Sequence, residues 1–249
     1  MGPAPSFDPE VVEQALSRLP CITMEGLFRR SSNYTFLVRL RDMDAADGEG
    51  LLAVYKPARG ESPLWDFPAG TLYRREVAAY RLARFLGWPR VPPTVVREEG
   101  PHGVGALQLY LETDPSRHFL SAGERPSDTW LPIAVFDVVA NNADRKSGHC
   151  LIDEEERVWL IDHGLTFNAD PKLRTVIWDF AGQRPTEALR DDLARAESSL
   201  RGGPLADGLD ELLSRRELQA LRRRVTAVLA SGYELPHPSS AWSVPWPPV

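Results

Sequence analysis

The chain has 249 residues, with 29 Lys plus Arg against 35 Asp plus Glu and a formal charge of −6. That length accommodates one or two domains with substantial cores, and the acidic balance gives no support to a strongly basic nucleic-acid surface, although it permits a local phosphate site. Hydrophobic residues at 43% and charged residues at 26% fit a soluble globular chain rather than a disordered or membrane one.

In chain order, Asp8 before Pro9 predicts a capped helix whose apolar face is Val11, Val12, Ala15, Leu16 and Leu19, ending at Pro20. Three successive strands follow, in CITMEGLFRR, NYTFLVRL and LLAVYKP, with Ser31, Ser32 and Asn33 in the first turn. The loop GESPLWDFPAG leads into a helix over TLYRREVAAYRLARFLGW, stopped by Gly87. VPPTVVREEGPHGVGALQLYL reads as an edge strand and a more central strand, and residues 112–128 as a connector. WLPIAVFDVVANN is apolar enough for a buried helix, while its β-branched content admits a strand; CLID and RVWLIDHGL read as two short strands. Helices are expected over 186–199 and 214–230, the second with a Ser214/Glu217 capping box. The proline-dense end, PHPSSAWSVPWPPV, reads as a packed irregular tail or a disordered extension.

The densest chemical signal is the ordered set Lys56, Glu76, Asp144, His149 and Asp162. A lysine at a strand end neutralises phosphate charge, a carboxylate on the next helix orients it, and acidic loop residues bind magnesium or guide a nucleophile. Each residue taken singly is ordinary: an exposed lysine, a helix-surface glutamate, turn-capping aspartates, a buried histidine making a hydrogen bond. Arg145 reads first as a solvent-facing arginine and second as a loop organiser or phosphate contact, Asn142 equally as a turn cap or a loop support, and Asp179 as a structural cap or packing support rather than a catalytic group.

NNADRKSGHCL at 141–151 and LIDHGLTF at 160–167 resemble the catalytic loop and the metal-binding aspartate segment of the atypical kinase superfamily. That superfamily includes phosphatidylinositol 3- and 4-kinase catalytic domains and HipA-like kinases. Over residues 20–185 the chain looks most like the small bacterial phosphatidylinositol 3-/4-kinase-like proteins. The resemblance implies an α+β, two-lobed fold, with a β-rich N-lobe over 1–111, a mainly helical C-lobe over 112–249, and ATP with Mg2+ or Mn2+ as cofactors. Asp144 then orients or deprotonates the phosphoryl acceptor, Asp162 and His149 hold metal, and Lys56 with Glu76 meets the nucleotide phosphates. Ser31, Ser32 and Asn33 form the phosphate hairpin, and Gln108, Leu109, Tyr110 and Leu111 the adenine hinge.

The chain departs from the family pattern at three places. His149 stands where a metal-binding asparagine is usual, Lys146 where histidine is frequent, and His163 in place of the central phenylalanine of the metal turn. Magnesium favours oxygen donors, so His149 points to manganese or to one altered metal position. The expected activity is transfer of the γ-phosphoryl group to an unidentified hydroxyl on a protein, lipid or small molecule. The rivals are a catalytically weak ATP-binding regulatory module and a metal-dependent phosphohydrolase. The short C-terminal region admits dependence on a protein activator.

Cys21 and Cys150 are too few for a disulfide framework or a four-thiol metal site. MGPAPSFDPE lacks a basic, then apolar, signal pattern, and no apolar run approaches the roughly 20 residues of a membrane-spanning helix, so a cytoplasmic location is expected.

Overall fold

A computed structural model describes residues 7–28, 33–44 and 49–249. The chain divides into two compact units, one of residues 1–80 and 92–112, the other of residues 81–91 and 113–249. The architecture is α+β. No helix among the described residues is long and apolar enough to cross a membrane.

The first unit contains α1 (Pro9–Arg18), β1 (Cys21–Leu27), β2 (Phe36–Arg41), β3 (Leu51–Pro57), the start of α2 (Leu72–Leu86), β4 (Thr94–Arg97) and β5 (Gly105–Leu109). The strands form one sheet in the order β1-β2-β3-β5-β4, antiparallel throughout. Alternation along the strands sends Val38, Leu40, Ala53, Tyr55 and Leu107 into one apolar cluster, closed by Val12 and Leu16 of α1. Period-two geometry therefore turns Lys56 to the other side from Ala53 and Tyr55. Next to it, opposite Pro57, Gly105 lets β5 approach, because a Cβ at that position would stand 2.5 Å from the Lys56 carbonyl oxygen.

α1 begins where Asp8 Oδ1 accepts from the Glu10 amide at 2.8 Å. Its far end is clamped by Arg97 of β4, which donates to the carbonyls of Ser17 at 2.5 Å, Leu19 at 3.0 Å and Leu16 at 3.3 Å. These are the last carbonyls of a helix, which lack intrahelical partners, so one guanidinium both caps α1 and holds it to the sheet.

The second unit contains α3 (Ser127–Ala140), β6 (Cys150–Ile152), β7 (Val158–Leu160), α4 (Glu187–Arg201), α5 (Pro204–Asp210) and α6 (Arg215–Leu229), after the last residues of α2. The ambiguous apolar run is a helix: burial on nearly every side outweighs the weak helix propensity of its valines and isoleucine. β6 and β7 form an antiparallel hairpin. α6 carries the expected capping box, with Ser214 and Glu217 bonded reciprocally. The short α5 was not expected from the sequence, since the preceding Gly202-Gly203 pair reads as a break and Pro204 opens the helix only at its first position.

The tail is packed and irregular. Ser147 N–H donates to the Pro248 carbonyl at 2.8 Å, Thr175 N–H to that of Ser243 at 3.0 Å, and Leu235 N–H to that of Gln183 at 2.9 Å.

The clamp on α1 yields a stability prediction. Arg97→Ala should lower unfolding free energy by about 1–3 kcal/mol, the range for hydrogen bonds from a charged donor, and Arg97→Lys should recover only part of it because an ammonium cannot span three carbonyls. Urea unfolding midpoints of the three proteins check this.

Candidate functional site

In the first unit, Lys56 Nζ lies 2.5 Å from Glu76 Oε1, with only 19% and 4% of the two side chains exposed. β3 delivers the lysine and the first turns of α2 deliver the glutamate. The α2 N-terminus is fixed by Tyr73 N–H, which donates to Glu61 Oε1 at 2.9 Å, and by buried Arg75, which donates to the Thr71 carbonyl at 2.9 Å. A lysine ammonium carries three N–H donors, a chemistry suited to phosphate oxygens as well as to a carboxylate.

Ser31 and Ser32 lie outside the described residues. Asn33 is described, and its Oδ1 accepts from the Ser62 amide at 2.8 Å, tying the turn to the loop before α2. Of the hinge residues, buried Gln108 donates through Nε2 to Thr94 Oγ1 at 2.9 Å. The Leu109 and Tyr110 amides donate to the carbonyls of Pro93 and Leu52 at 2.9 and 3.0 Å. Leu111 packs partly buried against the apolar cluster.

In the second unit, α3 ends on Asn141 in the left-handed conformation, φ 52°, which asparagine tolerates better than most residues. Asn141 Nδ2 donates to the carbonyls of Asn168 and Asp170, and its Oδ1 accepts from the Lys172 amide. Asn142 unites the two roles open to it from sequence. Its Oδ1 accepts from the Asp144 amide at 3.0 Å, and its Nδ2 donates to Asp137 Oδ1 at 3.1 Å. Asp144 is thus held by a side chain that is itself anchored to α3.

His149 Nε2 lies 3.3 Å from Asp162 Oδ2, and His149 Nδ1 lies 3.0 Å from the Asp144 carbonyl and 3.3 Å from the Lys146 amide. These contacts correspond to two tautomers. With Nδ1 donating to the carbonyl, Nε2 offers a lone pair beside Asp162; with Nδ1 accepting from Lys146, Nε2 carries the proton. The structure therefore brings Asp144, His149 and Asp162 into one connected group, with Lys146 Nζ 3.7 Å from Asp144 Oδ2. Among the described residues, no three His, Cys, Asp or Glu side chains converge as a ready metal cluster.

Arg145 corrects the sequence expectation, for it is fully buried. Its guanidinium pairs with buried Asp137 of α3 at 3.0 Å and donates to the Ile161 carbonyl at 3.0 Å. Arg145 Nη2 also meets His163 Nε2 at 2.9 Å; arginine only donates, so Nε2 accepts and the ring proton sits on Nδ1. Thr175 Oγ1 adds a bond to Asp137 Oδ2 at 3.2 Å. Asp137 escaped the sequence reading; the available signal was a carboxylate within the apolar stretch 130–140, eight residues before an arginine. Asp179 is ion-paired to Arg125 at 3.3 Å.

Asp162 itself has φ 58°, and its side chain is 49% exposed, whereas His163 after it is wholly buried. Phe167 also has positive φ, 59°, costly for a bulky residue and sustained by burial and by its amide bond to the Ala140 carbonyl. The segment 162–167 is held between these two turns with the carboxylate outward and the histidine inward.

Burial pushes the Asp144 carboxyl up from 3.8 to about 6; Lys146 opposes that rise and Asp162 adds to it. The folded state thus takes up a proton at Asp144 that the unfolded chain has released between about pH 4 and 6, so ionising Asp144 costs stability above that window. Asp144→Asn should raise unfolding free energy at pH 8 by about 2 kcal/mol and leave it unchanged near pH 3, as thermal or urea unfolding at the two pH values would show. Arg145→Ala should cost about 3–5 kcal/mol, because it strands the Asp137 carboxylate in the interior, whereas surface Arg195→Ala should cost under about 1 kcal/mol.

Comparison with known proteins bears on this geometry. No family model matches the chain. The Mycobacterium tuberculosis protein Rv2133c is 36% identical over 261 aligned positions, covering 91% of each chain. Phosphatidylinositol 4-kinase gamma 4 of Oryza sativa is 31% identical over 157 positions, 49% of this chain and 28% of that protein. Among solved structures, the Golgi casein kinase superposes with a TM-score of 0.55 at 15% identity, over 90% of this chain and 75% of that one, and has also been solved with Mn/ADP bound. That likeness shows a kinase-like fold. The chain belongs to the family of Rv2133c.

Proposed function

We propose that the chain is an ATP-dependent phosphotransferase that moves the γ-phosphoryl group to a hydroxyl acceptor. The observation that carries this reading is the Lys56–Glu76 pair at 2.5 Å, a cation held in place by a helix-borne carboxylate. The kinase-like fold, the partial similarity to a phosphatidylinositol 4-kinase and the Mn/ADP complex of the Golgi casein kinase support it.

Lys56 neutralises phosphate oxygens and Glu76 keeps its ammonium oriented. Asn33 and the neighbouring Ser31 and Ser32 are assigned to the phosphates. Backbone groups along Gln108, Leu109, Tyr110 and Leu111 are assigned to the base; the Leu109 and Tyr110 amides already have partners, which leaves the amide of Leu111 for it.

Asp162 and His149 are assigned to a divalent cation, which would neutralise charge on the phosphates. Their 3.3 Å separation fits two donors on one cation, since ligands about 2.1 Å from a metal at tetrahedral or octahedral angles stand roughly 3.0–3.4 Å apart. An imidazole beside a carboxylate suits Mn2+ better than Mg2+. The tautomer that frees His149 Nε2 is the one whose Nδ1 donates to the Asp144 carbonyl, so the loop that holds Asp144 also prepares the histidine.

Asp144 accepts the acceptor's proton as its oxygen bonds to the γ-phosphorus. The bond from that phosphorus to the bridging oxygen breaks, and ADP departs with the electron pair. A carboxyl with a pKa near 6 is a better base than an ordinary aspartate and is mostly ionised at pH 7.

ATP consumption and label transfer by wild-type protein should run faster with Mn2+ than with Mg2+ and fall about a hundredfold or more in Asp162→Ala and Lys56→Met. kcat/KM should rise with pH through about 6, as Asp144 loses its proton. The alternative, favoured by the histidines at positions 149 and 163, is a nucleotide-binding module without efficient turnover. ATP-dependent thermal stabilisation with no turnover in either metal would establish that module, and absence of both effects would overturn the phosphotransferase reading.

A further inference from the structure

The second unit holds a cavity of about 930 Å³, walled by the segment after the Asp162 turn, by α6 and by the C-terminal tail. Its lining is cationic although the chain is acidic overall: Lys172, Arg174, Arg223 and Arg224 face it, with His237 and Trp242. The carboxylate on the lining, Asp170, is engaged by Arg216 at 2.9 Å. Four cationic side chains against one carboxylate on the lining give this concavity a local excess of positive charge, which favours an anion there.

Arg224 makes that deficit specific. Its Nε donates to the Val139 carbonyl at 2.7 Å and its Nη1 to the Asn168 carbonyl at 3.2 Å, so its hydrogen bonds among the described residues go to neutral groups. Nη2 is buried and has no hydrogen-bond partner among the described residues. Burial draws the guanidinium pKa down to about 10, against the opposing pull of the Glu217 carboxylate. Arg174 is anchored through Nε to the Trp242 carbonyl at 3.0 Å. Arg223 is exposed and forms no hydrogen bond or ion pair among the described residues.

We infer that this cavity binds a phosphate monoester on a small organic ring, with the phosphate among Arg223, Arg224, Arg174 and Lys172 and the ring against Trp242. A dianionic phosphate with three acceptor oxygens suits several converging cationic donors better than a single carboxylate does. Trp242 is 79% exposed and gives the carbon skeleton a flat apolar face. The volume is that of a small-molecule site. The inference is argued from the cavity and does not use the assignment of Lys56, Asp144 and Asp162, although Arg174 on its lining also acts electrostatically on Asp144.

Isothermal titration of glucose 6-phosphate into the full chain, without ATP or metal, tests it. Wild-type protein should bind glucose 6-phosphate, bind inorganic phosphate more weakly and show no binding of glucose. Arg223→Glu should weaken glucose 6-phosphate binding about tenfold or more, whereas Arg195→Glu, the same charge change outside the cavity, should not. Lys172→Gln is the second variant, and circular dichroism of each verifies folding. Asp162→Ala should bind as wild type does, so failure of the phosphotransferase reading and failure of this site are read separately. No binding by wild type, equal binding by folded Arg223→Glu and Lys172→Gln, or equal loss in Arg195→Glu would overturn the proposal. Inorganic phosphate binding as tightly as glucose 6-phosphate would overturn the ring-bearing ligand.

Discussion

The buried ion pair between Asp137 and Arg145 organises the second unit. Two fully buried charges are tolerable only when each is neutralised and hydrogen-bonded, and here each is: Asp137 accepts from Arg145, Asn142 and Thr175, and Arg145 reaches the Ile161 carbonyl and His163. One helix, the loop after it, the strand end before Asp162 and the segment near Thr175 therefore share a single polar network. Such a network contributes geometry more than net stability, because the desolvation of both charges offsets most of their attraction.

That geometry reaches the candidate chemistry through short links. Asn142 passes the position of Asp137 on to the Asp144 amide, and His163, gripped by Arg145, fixes the turn from which Asp162 projects. His149 closes the loop by touching both the Asp144 carbonyl and the Asp162 carboxylate. In the first unit the corresponding economy lies in strand alternation: the pattern that buries Ala53 and Tyr55 against α1 turns Lys56 to the opposite side, where α2 presents Glu76.

Much of this was legible beforehand because the signals are local. Asp8-Pro9, the Ser214/Glu217 box and Gly87 specify helix ends through the chemistry of a few adjacent residues. The alternation in FLVRL and LLAVYKP predicts half-buried strands, and β5, read as the more central strand of its pair, lies between β3 and β4 with all five residues buried. The motifs at 141–151 and 160–167 pointed to Asp144, His149 and Asp162, which the fold does assemble into one group. The preferred solvent-facing reading of Arg145 failed because an arginine among polar loop residues has the same local signature whether solvent or a buried carboxylate receives it.

The sequence by itself determined the elements, the kinase-like pattern and the identities of the charged groups, because capping, periodicity and motif order depend on neighbours along the chain. Only the tertiary structure decided that Arg145 is buried on Asp137, that Glu76 meets Lys56, that Asp144 sits where burial raises its carboxyl to about 6, and that scattered basic residues face one cavity. Those outcomes depend on which distant groups share a low-dielectric space, and that is a property of packing rather than of spacing.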